Sequence, residues 1–323
     1  MKRQQSQRGA ALLMAMLTAA LVATLAATAS WRIWQISEVE SAEQDRAQMQ
    51  WVLQGALDRA RLLLREDARA NRNEAVDHLN EPWALPLEEA RLSTFLAAKD
   101  QSSAQADVNE AFLSGSMIDA QSRFNLRNLW DAQGQISNAD LAQFLRLCEL
   151  LQLPAQPWLD ALTDFQASQA NALQPVPAQE LGDWARAGVK PELIALMQPY
   201  VTVLPKRTPI NVNTASAPVL AAVVIDGSLA DAQQWVRERN LQPYRSVSDW
   251  QQRHPQAKPA QLQDIATASD FFEVTGQLRI GTHGVTETSL LQRENLNVRV
   301  VWRRRQSLAP SVVWSEAPTG RAE

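Results

Sequence analysis

The sequence has little of what catalysis and covalent cross-linking require. Its 323 residues include one cysteine, Cys148, so no disulfide can form within the chain. The three histidines are isolated, with no second ligand at metal-binding spacing: His78, His254 and His283. Glycine-rich phosphate loops, Gly-x-Ser-x-Gly turns and Cys-x-x-Cys pairs are missing as well. We therefore expect no enzymatic activity, and a Cys148 that packs inside a helical core.

A large positive charge is also missing. Lysine and arginine number 31 against 35 aspartate and glutamate residues, which gives a formal net charge of −4. Such a balance argues against general nucleic-acid binding. Eleven tryptophans, by contrast, favour a packed domain over a disordered chain.

The longest stretch without an ionisable side chain lies near the N-terminus, from Ala10 to Ser30. As a helix it would measure roughly 30 Å, the thickness of a membrane hydrocarbon core. Trp31 and Trp34 follow directly, as is typical of a membrane–water interface. Three basic residues precede the stretch: Lys2, Arg3 and Arg8. This distribution predicts a cytoplasmic N-terminus, with the rest of the chain on the far side of the membrane.

Three interpretations of this segment compete. A secretory signal could be cleaved near Ala-Ala-Thr-Ala-Ser at 26–30, although its apolar region would normally be shorter. A plain signal anchor would keep the whole segment. The third interpretation rests on Arg8-Gly9-Ala10-Ala11-Leu12, which resembles the leader of type IV pilins and type II secretion pseudopilins. That resemblance implies cleavage between Gly9 and Ala10 by a prepilin peptidase and methylation of the new N-terminus at Ala10.

Met14 departs from this family pattern. Most members carry glutamate at the fifth mature position, which here is Met14. By the resemblance, that glutamate pairs with the amine of the subunit above, since an unpaired charge in lipid is costly. A subunit with nothing above it needs no such carboxylate.

Beyond the apolar stretch, apolar residues continue at spacings of three and four to about Ala70, which predicts one uninterrupted helix. Residues 111–119 alternate like a strand, and the middle of the chain shows a series of helix starts and stops. After Ser269 the period changes to two. We therefore predict an α+β fold: a long N-terminal helix packed on a small antiparallel sheet, with a large all-helical domain inserted in the sheet.

The predicted segments follow in chain order. They are a leader (1–9), a transmembrane half-helix (10–31), a periplasmic half-helix (32–70), the first part of the α/β domain (71–124), the helical insert (125–268), the closing strands (269–304) and a flexible tail (305–323).

One motif favours a different class of protein. Pro209 to Ala215 resembles the start of helix-hairpin-helix DNA-binding modules, which grip phosphate through a Gly-x-Gly hairpin. The corresponding turn here, 225–228, has a single glycine, and Asp226 would repel phosphate. Because of the motif resemblance, DNA uptake by a membrane-tethered helix-hairpin-helix protein is kept as the alternative function, although the turn fits it poorly.

The ordered motifs resemble the K-type minor pseudopilins of type II secretion (GspK) more closely. These carry an Asp-Ala-Gln-x-x-Phe-Asn-Leu stretch after the first strand, found here at 119–126. They also carry Ile-Asn-Val-Asn-Thr-Ala in a helical insert, found here at 210–215, and a closing strand like that at 271–274. Their acidic run in the insert is reduced here to Asp164 and neutral residues, so any calcium binding is in doubt.

The resemblance implies a non-enzymatic subunit at the tip of a short periplasmic pseudopilus, anchored in a Gram-negative inner membrane. Its expected partners are minor pseudopilins of the I, J and H types, through them the major pseudopilin, and the prepilin peptidase. No nucleic acid and no obligatory cofactor are expected, and calcium stays open.

Overall fold

A computed structural model describes residues 4–71, 75–91, 111–171, 178–225, 227–259, 262–280 and 283–308. The chain divides into two compact units, Met1–Gln54 and Gly55–Glu323. The first helix, α1 (Gln4–Ala70), contributes to both units.

In the first unit, every described residue belongs to α1. Within it, Ala11–Ser37 has a mean hydropathy of 2.1 over its most apolar window and is long enough to cross a membrane. Among the described residues it is the one segment that meets both conditions. Its apolar side chains are exposed, as expected of a helix whose solvent is lipid.

The second unit contains a five-stranded sheet in the order β1-β2-β9-β10-β11, antiparallel throughout. Its strands are β1 (Leu87–Arg91), β2 (Ala111–Asp119), β9 (Phe271–Ile280), β10 (His283–Glu294) and β11 (Asn297–Leu308). The last turns of α1 pack on one face of this sheet, where Leu57, Ala60 and Leu64 meet buried residues of the central strands. The predicted fold class is confirmed in these elements.

Strands β2 and β9 are neighbours in the sheet, and the helical insert lies between them in sequence. The described part of the insert forms seven helices: α2 (Asn138–Leu150), α3 (Gln156–Asn171), α4 (Leu181–Arg186), α5 (Pro191–Met197), α6 (Ala217–Val223), α7 (Leu229–Leu241) and α8 (Val247–Arg253). They share one core that includes Trp130, Trp158 and Trp184 with Phe144.

The insert is not all-helical, which corrects the predicted architecture. Three pairs of two-residue strands join segments of it that are distant in sequence. They are β3 (Phe124–Asn125) with β4 (Val201–Thr202), β5 (Ile210–Asn211) with β8 (Ile265–Ala266), and β6 (Val224–Ile225) with β7 (Lys258–Pro259). Two residues are too few to show an alternating pattern, so periodicity could not reveal them.

The sheet also has more strands than the sequence indicated. Strand β1 is exposed and reads Leu-Glu-Glu-Ala-Arg, a composition with little strand preference. Strand β10 was missed because buried polar side chains interrupt its apolar face: Glu287, Ser289 and Gln292. Gly281 and Gly284 had suggested a turn between strands, but Gly284 lies within β10, and Gly281 lies outside the described residues.

The last strand is longer than predicted. Strand β11 runs to Leu308, beyond Arg304, where we expected a tail to begin. Four arginines lie along this outer strand of the sheet: Arg299, Arg303, Arg304 and Arg305. Arg303 and Arg305 both pair with the buried carboxylate of Glu287 on β10. The rest of the predicted tail, residues 309–323, lies outside the described residues.

Candidate functional site

The residues predicted to govern processing lie inside α1. Gly9 and Ala10 fall within its first two turns, and Met14 lies in the candidate membrane span with 70% of its side chain exposed. This placement is compatible with a subunit whose apolar helix is retained. Cleavage at Gly9–Ala10, methylation of Ala10 and the role of Met14 stay predictions.

The C-terminal part of the span carries an aromatic pair. Trp31 and Trp34 are both exposed, and their ring centroids lie 5.4 Å apart. Indole rings at the end of an apolar helix suit the headgroup region of a bilayer. We expect the hydrocarbon boundary to lie at this pair.

The motif residues of the insert meet at one place, which we call the joint. It comprises the segment leaving β2 (119–125), the segment entering β9 (267–271) and the turn at 211–214 between them. Side chains from all three segments are buried and polar here: Asp119, Gln121, Asn125, Asn211, Asn213, Thr214, Thr267 and Ser269. The sequence motifs predicted a strand and a helix entry but not that they touch.

Asp119 is at the centre of the joint. Its Oδ1 accepts a hydrogen bond from the backbone N–H of Gln121 at 2.7 Å. Its Oδ2 accepts from Asn211 Nδ2 at 3.0 Å, Thr214 Oγ1 at 2.6 Å and Ser269 Oγ at 2.7 Å. One carboxylate therefore ties the end of β2 to both other segments of the joint.

Burial raises the pKa of Asp119 to about 6, from an ordinary value of 3.8. The hydrogen bonds from Thr214 and Ser269 act in the opposite direction because they stabilise the charged form. The nearby Asp77 raises the pKa further through like-charge repulsion. A pKa of about 6 lies closer to neutral pH than that of an ordinary aspartate.

The asparagines of the motifs act as braces for backbone groups. Asn213 donates to the carbonyl of Tyr244 and accepts from its N–H, both at 2.9 Å. Asn211 donates to the carbonyl of Asp77 at 3.1 Å and accepts from the N–H of Asn213. Asn125 and Asn128 bind the loop at 204–208 in the same way. These amides satisfy buried backbone groups that would otherwise lack partners.

A second buried cluster adjoins the joint. Arg293 on β10 donates to Asp67 at 2.6 Å, to both oxygens of Asp77, and to the carbonyl of Ser269 at 2.9 Å. Burial alone would lower the pKa of Arg293, but the two carboxylates raise it. Burial also raises the pKa of Asp67 and of Asp77. Sequence reasoning missed these residues because Arg293 lies 226 residues from Asp67 and 216 residues from Asp77, and no local pattern links them.

Three carboxylates of this cluster have oxygens within 4.8 Å of one another: Asp67, Asp77 and Glu81. Their oxygens already accept hydrogen bonds from Arg293, from Asn71, from backbone N–H groups and from the indole of Trp83. A guanidinium thus supplies the positive charge that a metal ion would bring. Asp164, exposed on α3, is not part of this group, which is the one such cluster among the described residues.

The hairpin proposed for phosphate binding is engaged elsewhere. Arg146 donates to the carbonyl of Val224, just before the turn, and to the carbonyl of Gly227 within it. Arg239, one of the nearby basic residues, is only 5% exposed and donates to the carbonyl of Val212 at 2.7 Å. The geometry gives the DNA-binding alternative no support.

Among the described side chains, His78, His254 and Cys148 do not form a common site. His254 shares a 2.8 Å hydrogen bond with the Tyr244 hydroxyl, and burial lowers its pKa. The ring Nδ1 of His78 accepts from the N–H of Asn80. Cys148 is buried, and burial raises the pKa of its thiol to about 11, which makes it an unreactive packing residue.

Comparison with known proteins shows which proteins this chain is similar to. A family model described as type II secretion system protein K matches residues 210–270, the part of the chain that runs from the 211–214 turn to the start of β9. Protein K of Pseudomonas aeruginosa is 28% identical over 329 residues, which cover 93% of each chain. Protein K of Klebsiella pneumoniae is 29% identical over 92% of this chain and 96% of its own length.

The chain is similar to type II secretion protein K over nearly its whole length. The resemblance to K-type minor pseudopilins is thereby confirmed. A chain in the crystal structure of the GspK–GspI–GspJ complex from enterotoxigenic Escherichia coli has the same fold, with a TM-score of 0.62 over 82% of this chain and 98% of its own. At 19% identity, that structural match is a statement about the fold.

Proposed function

We propose that this chain is a minor pseudopilin of a type II secretion system, a structural subunit without catalytic activity. The main support for this proposal is sequence similarity to K proteins along nearly the whole chain. The joint supports it, because the segment that matches the family model, residues 210–270, contributes structural contacts there, such as the hydrogen bond from Asn211 to Asp119. The subunit would help start the pseudopilus that exports proteins across the outer membrane.

The proposed partners are the other minor pseudopilins. The structural relative was crystallised with GspI and GspJ, so we propose the I and J types of the same organism, together with the H type, as neighbours of this chain. Co-purification of the full chain with detergent-solubilised I and J subunits tests this. We expect a complex containing one copy of each, and a chain that elutes without them would contradict the proposal.

The proposed location is the inner membrane, with the N-terminus in the cytoplasm and the second unit in the periplasm. Three basic residues before an apolar span support that orientation. In the variant Gly9→Leu, which should retain the leader, protease added to spheroplasts should digest residues after the span and spare a tag at the N-terminus. Digestion of the tag would show that the N-terminus faces the periplasm, which contradicts the proposed orientation.

The proposed processing is cleavage between Gly9 and Ala10 followed by methylation of Ala10. Mass analysis of the membrane-extracted protein should find a methylated Ala10 at the N-terminus. Gly9→Leu should retain the leader, whereas Gly55→Ala, a matched change in the same helix with open space around its Cβ, should be processed normally. An intact Met1 in the unaltered protein, or cleavage near Ala29, would overturn this proposal.

The proposed position is the end of the filament away from the inner membrane. Met14 offers no carboxylate to a subunit above, while the amine of a mature Ala10 can still receive one from below. The bulk of the helical insert adds a second reason, since it would crowd a repeating neighbour. Gold labelling should find one copy per filament, and labels repeated along the shaft would exclude the tip.

Bound calcium and DNA are separate questions with direct tests. We propose that folding needs no calcium, since hydrogen bonds from Arg293, Asn71, Trp83 and backbone N–H groups already occupy oxygens of the one carboxylate cluster among the described residues. Adding a chelator to the full chain in detergent should leave its melting temperature unchanged, whereas a clear drop would indicate a bound ion.

We also propose that the chain does not bind DNA. In a gel-shift experiment the chain should leave the mobility of duplex DNA unchanged, and salt-sensitive retardation of the DNA would favour the alternative function.

A further inference from the structure

Strand β11 lies at one side of the sheet, and the start of its free edge is capped by a side chain of α1. The carbonyl of Val298 points away from β10 and accepts two hydrogen bonds from the guanidinium of Arg61, at 3.0 and 2.9 Å. Its ladder partner on β10, Arg293, donates its backbone N–H to the carbonyl of Asp270, on the side of β10 away from β11. The two strands therefore do not exchange hydrogen bonds at this pair.

Farther along, the same edge offers bare backbone groups. In an antiparallel ladder, pairs that exchange hydrogen bonds alternate with pairs that do not. Strand β10 keeps a regular register with β9, so the alternation seen at Arg293 continues along β10, and the one irregularity of its pairing with β11 is an extra residue on β11. Beyond that residue, the backbone N–H and carbonyl groups of Arg303, Arg305 and Ser307 face outward. None of them has a hydrogen-bond partner among the described residues.

The same stretch carries an unbalanced charge. The guanidinium groups of Arg303 and Arg305 both pair with Glu287, at 3.3 and 2.5 Å, and with no other carboxylate of the described residues. One buried carboxylate thus faces two cations, and one positive charge is left over. A segment that covers this edge should form a strand and bring a carboxylate.

The sequence directly after β11 has both properties. Pro310, two residues beyond Leu308, favours a turn, and residues 311–316 read Ser-Val-Val-Trp-Ser-Glu. Valine and tryptophan are strand-forming residues, and Pro318 limits the segment on its far side. This pattern was too short to stand out while the length of β11 was unknown.

We propose that residues 312–316 turn back and add to the sheet as a further strand, antiparallel to β11. Five residues of strand span roughly 17 Å, the length of the bare stretch 303–307. A short turn also gives the segment an effective concentration in the millimolar range, an advantage that a strand from another subunit lacks. Natural sheets commonly cover their outer strands in such ways.

The side chains of this segment fit the edge. With a turn of about three or four residues, Glu316 lies opposite Arg304 or Arg303. Its carboxylate then supplies the negative charge that the arginine pair on Glu287 lacks. Trp314 lies opposite Arg305 or beside it, where an indole ring can stack on a guanidinium. Arg304 already makes such a contact within β11, 4.6 Å from the ring centroid of Trp302.

Hydrogen exchange of the full chain in detergent, read at single-residue resolution by electron-transfer fragmentation, tests the added strand. The outward N–H groups of Arg303, Arg305 and Ser307 should exchange at least about tenfold more slowly than in the double variant Val313→Pro with Trp314→Pro. Two adjacent prolines prevent the strand in either register, because each fixes the backbone and removes a donor.

Matched changes serve as controls. Thr319→Pro with Gly320→Pro, beyond Pro318, should leave the exchange slow. Glu316→Gln should speed the exchange of the three outward groups by about threefold at low salt, and Glu323→Gln should not. The N–H groups that face β10, at 302, 304 and 306, should stay protected in every variant, which reports that the sheet is intact.

Three results would overturn the proposal. Fast exchange of the outward groups in the unaltered chain would show that nothing covers the edge. Equal protection in the variant with prolines at 313 and 314 would show that another segment covers it. Protection that appears only with added I and J subunits, or only at high protein concentration, would assign the edge to a strand from a partner or a second copy. None of these results depends on the proposed role in secretion.

Discussion

The helical insert and the joint that attaches it to the sheet are stabilised by opposite kinds of side chain. Inside the insert, Trp158 and Trp184 lie 5.1 Å apart at their ring centroids, with Trp130, Phe144 and Phe165 around them. The joint, by contrast, is built of buried carboxylates, amides and hydroxyls. Apolar packing provides most of the stability, whereas a buried polar network accepts only one arrangement. The insert's core thus gives it a stable interior, and the joint fixes where it sits on the sheet.

The largest expected effect lies in the aromatic core. Trp184 is fully buried, and Trp184→Ala should lower the free energy of unfolding by about 4 kcal/mol through lost packing and a cavity. Chemical denaturation of the full chain in detergent, followed by circular dichroism, measures the change. Leu241→Ala, at a side chain that is 88% exposed, is the control and should change stability by less than about 0.5 kcal/mol. Equal losses in both variants would contradict the assigned core.

The second-largest expected loss of stability concerns the buried charge cluster of Arg293, beside the joint. Arg293→Met should cost about 3 kcal/mol at pH 7.5, because it leaves Asp67 and Asp77 buried without their cation. The loss should shrink at pH 5, since the pKa of both carboxyl groups is raised and protonation removes the unpaired charge. Arg253→Met, which breaks the more exposed pair with Asp249, is the matched control. A loss independent of pH would show that packing, not charge, explains the effect.

A smaller effect tests the backbone braces. Asn213→Ala should lower the free energy of unfolding by about 2 kcal/mol, because the N–H and carbonyl of Tyr244 lose their partners. Denaturation of the variant beside Gln234→Ala, whose amide binds only the exposed Glu238, gives the comparison. Similar stability in the two variants would mean that water takes over the hydrogen bonds of Asn213 to the backbone of Tyr244.

The smallest effect is the pH dependence that Asp119 contributes. Its pKa is about 6 when folded and 3.8 in its ordinary state, so the folded chain binds the proton more tightly. The stabilisation is full below pH 3.8 and is lost as the pH rises through 6. Between pH 5 and pH 7.5 this amounts to about 1.4 kcal/mol. The pKa of Asp67 and of Asp77 is raised as well, so Asp119→Asn is measured beside the unaltered chain at both pH values by chemical denaturation. The unaltered chain should lose more stability than the variant between pH 5 and pH 7.5, and a smaller loss would contradict the sign.

The sequence predicted the helices well because each carries its own boundary signals. Ser228 begins α7 with a capping box, and Pro154 and Pro199 follow helices α2 and α5 closely. The long first helix was predicted from an apolar stripe with no proline. These signals are local, so one sequence suffices to detect them.

The joint could be predicted only in part. The motifs around Asp119 and Asn211 were recognised, but their contact spans 92 residues, and no local pattern encodes it. Arg293 and Asp77 lie 216 residues apart and gave no signal at all. Strand β10 was missed for a related reason, since the polar groups buried on it hide the alternation.

The arginines of β11 have a consequence for association. An outer strand offers unpaired backbone groups to any other strand, which is how sheets join into aggregates. A second copy aligned edge to edge would have to fit against this row of long side chains, whose charges already pair with Glu287, Glu294 and Glu180 of the same chain. The charged row therefore hinders edge-to-edge pairing with a second copy, because pairing would bring two sets of arginines together and disturb these ion pairs.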